Sequence, residues 1–214
     1  LGSHLHVSKS TFRNSSALQR GGAVAVRDSG IVHMNGTEIR HSFSRVGGAF
    51  YIDEKASVHM QNSRVRVASC ISHVDKCKGG GAYLSAESSL FMQNATIEMA
   101  GDLYTTHGGG IFAAQHSHVH LINSKIHGCT ANFAGGIFIE SQSSCSIMNN
   151  TVISSNNAML YNGAGMYIKD SKKILIRESL FEQNIAATMG GGIYFHVDAY
   201  ADIQDTTFKS NSAS

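Results

Sequence analysis

The sequence lacks several things that common protein classes need. Its 214 residues include no proline and no tryptophan, and only 15% are charged, against about 25% in ordinary globular domains. No apolar run approaches the roughly 18 residues of a membrane-spanning helix. A net charge of +2 without basic runs gives little attraction for nucleic acid. We therefore expect neither a membrane span in this segment nor a nucleic-acid partner.

The chain also lacks the usual features of an N-terminus. It opens with Leu-Gly-Ser-His, without a Met and without the apolar core of a signal peptide. A hydrophobic fraction of 42% excludes a wholly disordered chain. We expect residues 1–214 to form a single domain that is a fragment of a longer protein.

Cysteine is scarce, and its pattern leaves the redox compartment open. Cys70 and Cys77 lie in a predicted loop, where they either form a small disulfide or remain two free thiols. Cys145 occupies a predicted core position, and the sequence assigns no role to Cys129. The sequence contains no CxxC pair, which is the spacing that would indicate a zinc site.

The main feature that is present is internal repetition, which dominates every other signal. A glycine pair or its variant recurs every 26 to 33 residues. Its copies begin at Gly21, Gly47, Gly80, Gly109, Gly135, Gly163 and Gly191. The longest interval contains both Cys70 and Cys77, so we predict an inserted loop at 66–79.

A second repeated block lies midway between the glycine pairs and alternates apolar and polar residues, which is typical of a strand with one buried face. Its clearest copies begin at Val58, Leu90, Val119 and Cys145. Aligned copies give one apolar column of Val7, Met34, Met60, Met92, Leu121, Ile147, Ile176 and Ile203, and a second column two residues earlier.

Short strands at this spacing, without helical periodicity between them, predict an all-β fold. We expect a right-handed, single-stranded parallel β-helix, or β-solenoid, of about seven to eight coils of 26–33 residues. Each coil would bury its apolar residues only against its neighbours. The absence of proline fits, because proline would remove ladder hydrogen bonds.

Two corners of the coil are also predicted. Four consecutive coils carry Asn62, Asn94, Asn123 and Asn149 after the strand, which predicts a ladder of amide side chains. Each glycine pair is expected to allow a positive φ or a close backbone approach at another corner.

The C-terminal coils carry a motif with a known counterpart. Phe181-Glu182-Gln183-Asn184 and Phe208-Lys209-Ser210-Asn211 are FxxN tetrapeptides, and the first runs into Gly191-Gly192-Ile193. Alternating FxxN and GGA[IVL] motifs resemble the repeats of chlamydial polymorphic outer membrane proteins. The resemblance implies the right-handed β-helical passenger of an autotransporter, used for adhesion to host cells. The glycine motif covers the whole chain, whereas FxxN is clear only in the last two coils.

Candidate catalytic residues are few. Glu178 and Asp205 share a column in adjacent coils and are the best pair of carboxylates for a polysaccharide-active enzyme. No cluster of Arg or Lys accompanies them in the sequence, and they equally suit a structural turn. We expect no enzyme and no cofactor.

Histidine is abundant, with 12 residues. His6, His33 and His59 fall on outward positions of three consecutive coils, and His120 rejoins their column later. They are weak candidates for a metal site, and the alternative is an exposed polar column. Protonation below pH ~6.5 would place like charges beside one another, so acid sensitivity is expected.

An aromatic column follows the glycine pairs and is the candidate binding face. It consists of Phe50, Tyr83, Phe112, Phe138, Tyr167 and Tyr194. Polar residues two positions later favour an outward orientation, and an exposed apolar patch of this size usually marks an interaction surface. Ring stacking within the fold, or a place in the core, is the alternative.

Two surface sequons, at Asn14 and Asn35, are candidate glycosylation sites. Taken together, the sequence predicts a non-enzymatic, cell-surface or extracellular β-helix that acts as a rigid spacer and adhesive surface. The expected partners are other protein chains or cell-surface glycans, with end-to-end neighbours as an option. A subunit of an extracellular filament and a carbohydrate-active enzyme remain the alternatives.

Overall fold

The computed structural model describes residues 2–70 and 77–214. Within these ranges the chain forms short β-strands and no helix, so no helix that could span a membrane occurs there. Each strand pairs in parallel with its equivalent in the next coil. The predicted all-β parallel β-solenoid of about eight coils is confirmed.

Three sheets run along the rod: sheets A and B contain eight strands each, and sheet C contains seven. Sheet A contains His4–Ser8, Ile31–Asn35, Ser57–Gln61, Ser89–Gln93, His118–Ile122, Ser144–Met148, Lys173–Arg177 and Ala201–Gln204. Sheet B contains Thr11–Arg13, Glu38–Ser44, Arg64–Cys70, Thr96–Glu98, Lys125–His127, Val152–Ser154, Leu180–Glu182 and Thr207–Lys209. Sheet C contains Val24–Val26, Phe50–Ile52, Ala82–Leu84, Ile111–Ala113, Ile137–Ile139, Met166–Lys169 and Ile193–His196.

Two smaller sheets occupy the corner between sheets B and C. One pairs Cys77–Lys78 with Thr105–His107. The other contains Thr130–Ala131, Asn157–Ala158, Ile185–Ala186 and Ser212–Ala213.

The core is a continuous apolar column inside the rod. In sheet A, Met34 pairs with Met60 and Met60 with Met92, in the predicted register, and all three are buried. The first and last members of this column, Val7 and Ile203, are more exposed. Coils in the middle of the rod pack against a neighbour on both sides, whereas the first and last described coils have a neighbour on one side only. This difference explains why the apolar column is less buried at its two ends.

The corner between sheets A and B has a left-handed backbone and carries the asparagine ladder. Residues at this position, including Asn62 at φ +49° and Asn94 at φ +50°, have positive φ, which Asn tolerates better than most residues. The Nδ2 of Asn123 donates to the Oδ1 of Asn94 at 2.8 Å, Asn94 to Asn62 at 3.3 Å, and Asn62 to Asn35 at 3.2 Å. The ladder therefore reaches Asn35, one residue before the corner, where Gly36 occupies the corner itself.

A second, buried amide ladder explains the FxxN motif. The Nδ2 of Asn156 donates to the Oδ1 of Asn184 at 2.9 Å, and that of Asn184 donates to Asn211 at 2.8 Å. Each Nδ2 also donates to a backbone carbonyl, as Asn184 does to Ile153 at 2.9 Å. Asn156 and Asn184 are fully buried, so every polar atom of the amide needs such a partner.

The glycine corner precedes sheet C, and its two glycines meet different needs. Gly47 has a φ of +65°, in the region that glycine enters without a steric cost. A Cβ on Gly48 would lie 2.2 Å from the carbonyl oxygen of Gly80 in the next coil. The first position therefore needs an unusual conformation, and the second needs a close approach of two backbones.

The register at this corner corrects the prediction for Phe50. Phe50 pairs with Ala82, and its neighbour Tyr51 pairs with Tyr83. Phe50 therefore faces the core and is fully buried, while Tyr51 takes its place in the outer column. The error arose because three consecutive glycines, at 79–81, allow two alignments of the repeat.

The predicted inserted loop at 66–79 is also too long. Sheet B continues to Cys70, which pairs with Ser44, and Cys77 already pairs with Thr105. The strand continues because Ala68 and Cys70 still point into the interior and are buried. Residues 71–76 lie outside the described residues.

Candidate functional site

A ladder of five stacked rings runs along the outer face of sheet A, and we call it the ring ladder. Its members are His6, His33, His59, Phe91 and His120. Ring centroids are 4.9 Å apart from His6 to His33 and 4.6 Å apart from His33 to His59. The ladder continues through Phe91 to His120, again at 4.6 and 4.8 Å. The spacing follows from the strand separation, because equivalent positions of neighbouring coils stack directly.

The ring ladder forms one wall of a groove of about 430 Å³. The outward residues two positions further along the strands line the groove beside the rings, and they include the exposed amide side chains of Asn35, Gln61 and Gln93. Amides and neutral imidazoles each offer both a donor and an acceptor. The groove therefore presents repeating hydrogen-bonding groups along the rod axis.

Two histidines of the ring ladder, His59 and His120, resist protonation. Burial, and secondarily the neighbouring His33, lowers the pKa of His59. Burial, and secondarily His118, lowers the pKa of His120. Partial burial disfavours the imidazolium, and a second positive charge nearby disfavours it further. Protonation of this face is therefore coupled from one coil to the next.

The candidate metal ligands His6, His33 and His59 lie together, but with their ring faces packed on one another. The interplanar angles are 8° and 24°. Among the described residues, no group of three or more His, Cys, Asp or Glu side chains is arranged to hold a metal ion.

The predicted aromatic column lies outside the main core on sheet C, but most of it is covered. Phe112, Phe138 and Tyr167 are buried in a second apolar cluster, against which Tyr83 and Tyr194 pack. Consecutive rings stack, for example Phe138 on Tyr167 at 4.6 Å. Burial raises the pKa of the Tyr167 phenol. In the isolated chain this column is therefore largely a second core.

The cover is a second layer of aromatic rings that sequence reasoning missed. His107, Phe133 and Tyr161 stack on one another, at 5.0 and 4.0 Å. They meet the column edge-on, as Phe133 meets Tyr167 at 90°. Their recurrence at intervals of 26 and 28 residues was the signal that could have revealed them.

Charged side chains also cover the aromatic column. The Nζ of Lys78 lies 4.2 Å from the ring centre of Phe112 and 3.4 Å from Glu140. Arg20 lies over the ring of Tyr51 at 4.8 Å. These contacts close the face to a flat ligand such as a sugar ring.

The best carboxylate pair, Glu178 and Asp205, occupies the asparagine corner in the last two coils. Both residues are exposed and have left-handed φ values of +46° and +47°. They line a hollow of about 440 Å³, and none of the described residues that line it is Lys, Arg or His. Both residues occupy the turn position that Asn holds in earlier coils, and this structural role is enough to explain their presence there.

The cysteines divide into two kinds. Cys70 and Cys77 form a disulfide, one of the two alternatives left open by the sequence. Cys129 and Cys145 are free and fully buried, and burial raises the pKa of each thiol to about 12. The sequon residues Asn14 and Asn35 are both exposed.

Comparison with known proteins agrees with this architecture. The family model described as a right-handed β-helix region matches residues 2–162 and 109–214. The chain belongs to this family. A search of curated proteins finds no match. Membership of the right-handed β-helix family shows the fold and its handedness, but it does not show a function.

Proposed function

We propose that this β-helix is a non-enzymatic spacer outside the cell or on its surface, and that the groove beside its ring ladder binds an extended glycan. The observation that carries the proposal is the groove itself, with its repeating amide and imidazole groups. A linear polymer of hydroxylated units can satisfy such a repeat at several successive coils. The covered aromatic column of sheet C is not the proposed binding face.

The disulfide supports the extracellular location. Disulfides persist in oxidising compartments and are rare in the cytosol. Resemblance to polymorphic outer membrane protein repeats points the same way, and the buried ladder of Asn156, Asn184 and Asn211 gives the FxxN motif a structural role. We propose that the chain is a surface protein built from repeats of this type.

The absence of catalysis is part of the proposal. Glu178 and Asp205 are exposed turn residues, and within residues 2–70 and 77–214 no basic side chain lines their hollow. A general acid needs an environment that raises its pKa, which an exposed corner does not provide.

A glycan array probed with the whole chain tests the proposal. We expect binding by the wild-type protein, and its loss in the double variant Gln61→Ala/Gln93→Ala, which removes amides from the groove without touching the ring ladder. Gln19→Ala, at an exposed corner away from the groove, is the matched control and should bind normally. Binding that survives the double variant, or release of reducing ends from a bound polysaccharide, would contradict the proposal.

A second candidate function rests on a different surface. Leu103, Leu160, Tyr161 and Met189 are exposed large apolar side chains on the corner that covers the aromatic column. Such an apolar edge favours self-association, as in a filament subunit. Sedimentation should then show oligomers for the wild type and monomers for Leu160→Ser/Met189→Ser. A monomeric wild type at high micromolar concentration would rule this function out.

A further inference from the structure

The groove beside the ring ladder has an unusual charge composition. The 14 described residues that line it include four histidines, and no Asp, Glu, Lys or Arg. Imidazole titrates near pH 6.5. The groove is therefore nearly neutral at about pH 7.5 and becomes cationic in mild acid, with no carboxylate in its lining to balance the new charge.

Acidic side chains at the borders of the groove are largely engaged elsewhere. On the corner that precedes sheet A, Glu54 pairs with Arg27, and Glu87 pairs with Lys55. On sheet B, Glu38 pairs with Arg40. In the coils that carry the groove, the other titratable or charged groups of sheet A and its two adjoining corners are His4, Lys9, Asp28, Asp53, His116 and His118. Those of sheet B are Arg13, His41, Arg64, Arg66, Glu98, Lys125 and His127. Most of them are basic, so they add to the positive potential.

The ends of the rod also differ in charge. Residues 1–70, which supply three of the four groove histidines, carry nine Lys and Arg against four Asp and Glu. Residues 77–214 carry seven against ten. The field of the surrounding chain therefore favours an anion over the groove more than elsewhere.

We propose that this groove binds a linear acidic polysaccharide, and that binding strengthens as the ring-ladder histidines take up protons. This inference rests on the proposed glycan-binding function and adds the ligand class and its regulation. Protonated imidazoles stacked 4.6 to 4.9 Å apart repel one another. A row of sulfate or carboxylate groups along the groove relieves that repulsion by pairing with each ring edge.

The stacking also distinguishes a polysaccharide from a single-stranded nucleic acid. Proteins bind single strands by stacking bases on free aromatic faces. Here the faces of His33, His59 and Phe91 are covered by their neighbours. The polar groups that line the groove are ring edges, amides and the Ser8 hydroxyl, and these groups suit hydroxyl and anionic substituents.

The probe is dextran sulfate, with dextran of matched chain length as the uncharged control. Sulfate remains ionised across the range, so any pH dependence comes from the protein. We expect the wild type to bind dextran sulfate about tenfold more tightly at about pH 5 than at about pH 7.5, the combined effect of three or four partly exposed ion pairs. The affinity for dextran should show no such change.

Two variants assign the effect to the ring ladder. His33→Asn/His59→Asn removes two titrating rings and should reduce the pH-dependent gain to about threefold or less. Phe91→His adds a titrating ring to an intact stack and should increase the gain, so the test does not depend on a damaged fold. His41→Asn, at an exposed position of sheet B outside the groove, should leave the gain unchanged.

Proton linkage gives an independent readout. If protonation favours the ligand, the ligand must raise the proton affinity of the same histidines. The NMR titration midpoints of His33 and His59 should therefore move to higher pH when dextran sulfate is added, while that of His41 stays in place.

The outcomes separate this inference from the function on which it rests. Equal dextran sulfate affinity at both pH values, an unchanged gain in both ring-ladder variants, or tighter binding of a single-stranded polynucleotide overturns the inference. If array glycans still bind through Gln61 and Gln93 without pH dependence, the proposed function stands and only this inference fails. If no array glycan needs those amides, both fail.

Discussion

At the scale of single residues, two neighbouring asparagines in one coil have opposite roles. Asn156 is fully buried and its amide joins Asn184, the Ile126 carbonyl and the Cys129 N–H. Asn157 is exposed. Asn156→Ala should lower the free energy of unfolding by about 1–3 kcal/mol for each polar group left unpaired, and urea denaturation measures it. Asn157→Ala is the control, and an equal effect of both variants would refute the buried ladder.

The two free thiols give a second test at this scale. Because Cys129 and Cys145 are fully buried with their pKa values raised to about 12, almost no thiolate is present near neutral pH. Iodoacetamide should leave both unmodified in the native protein and alkylate both after denaturation, as read by mass spectrometry. Rapid alkylation of either thiol under native conditions would contradict the packing.

Sequence reasoning succeeded for residues whose role depends on the repeat alone. The register of Met34, Met60 and Met92 follows from their identical context. It failed at Phe50, where the glycine run at 79–81 permits two alignments. Only the backbone contact between Gly48 and Gly80 decides between them, and a sequence does not display that contact.

At the scale of elements, the glycine corner holds successive coils together. Gly48→Ala should destabilise the fold by about 2 kcal/mol or more, because its Cβ would lie 2.2 Å from a carbonyl oxygen of the next coil. Gly36→Asn is the matched control, since a Cβ there meets nothing nearer than 3.8 Å and Asn62 holds the same corner in the next coil. Its thermal unfolding should stay within about 0.5 kcal/mol of wild type.

A comparable loss of stability in both glycine variants would contradict a specific requirement for close backbone approach at Gly48. The candidate sites were harder to predict than the elements. Outward strand positions gave the histidine column correctly, whereas the cover over the aromatic column comes from corner residues such as Phe133 and Tyr161. Alternation along a strand shows which way a side chain points, but not what another part of the coil places above it.

At the scale of the whole molecule, stacking identical positions makes each surface property repeat along the rod. Coils with little net charge can thereby form a continuous stripe of chemically similar side chains along the rod. The ring ladder is such a stripe, and its titration acts on the stability of the whole rod, because every coil packs only on its neighbours.

Acid should therefore destabilise the unliganded protein as the pH falls below about 6.5. The folded-state pKa values of His59 and His120 are lowered by burial and by neighbouring histidines, whereas the unfolded values are near 6.5. As the pH falls through this range the unfolded chain binds more protons than the folded one, so the free energy of unfolding decreases. Carboxylates such as Glu38, whose pKa its Arg40 partner lowers, add their own loss only in stronger acid.

The variant His59→Phe isolates the contribution of the ring ladder. Phenylalanine already occupies the same column at Phe91, where it stacks at 4.6 Å on His59, so the substituted ring fits without a proton to gain. Urea unfolding at about pH 7.5 and pH 5 should show a smaller acid loss in His59→Phe than in the wild type, and an unaltered loss in His41→Asn. An identical acid loss in all three proteins would contradict the predicted contribution of His59, because that ring is the only titrating group removed in the first variant.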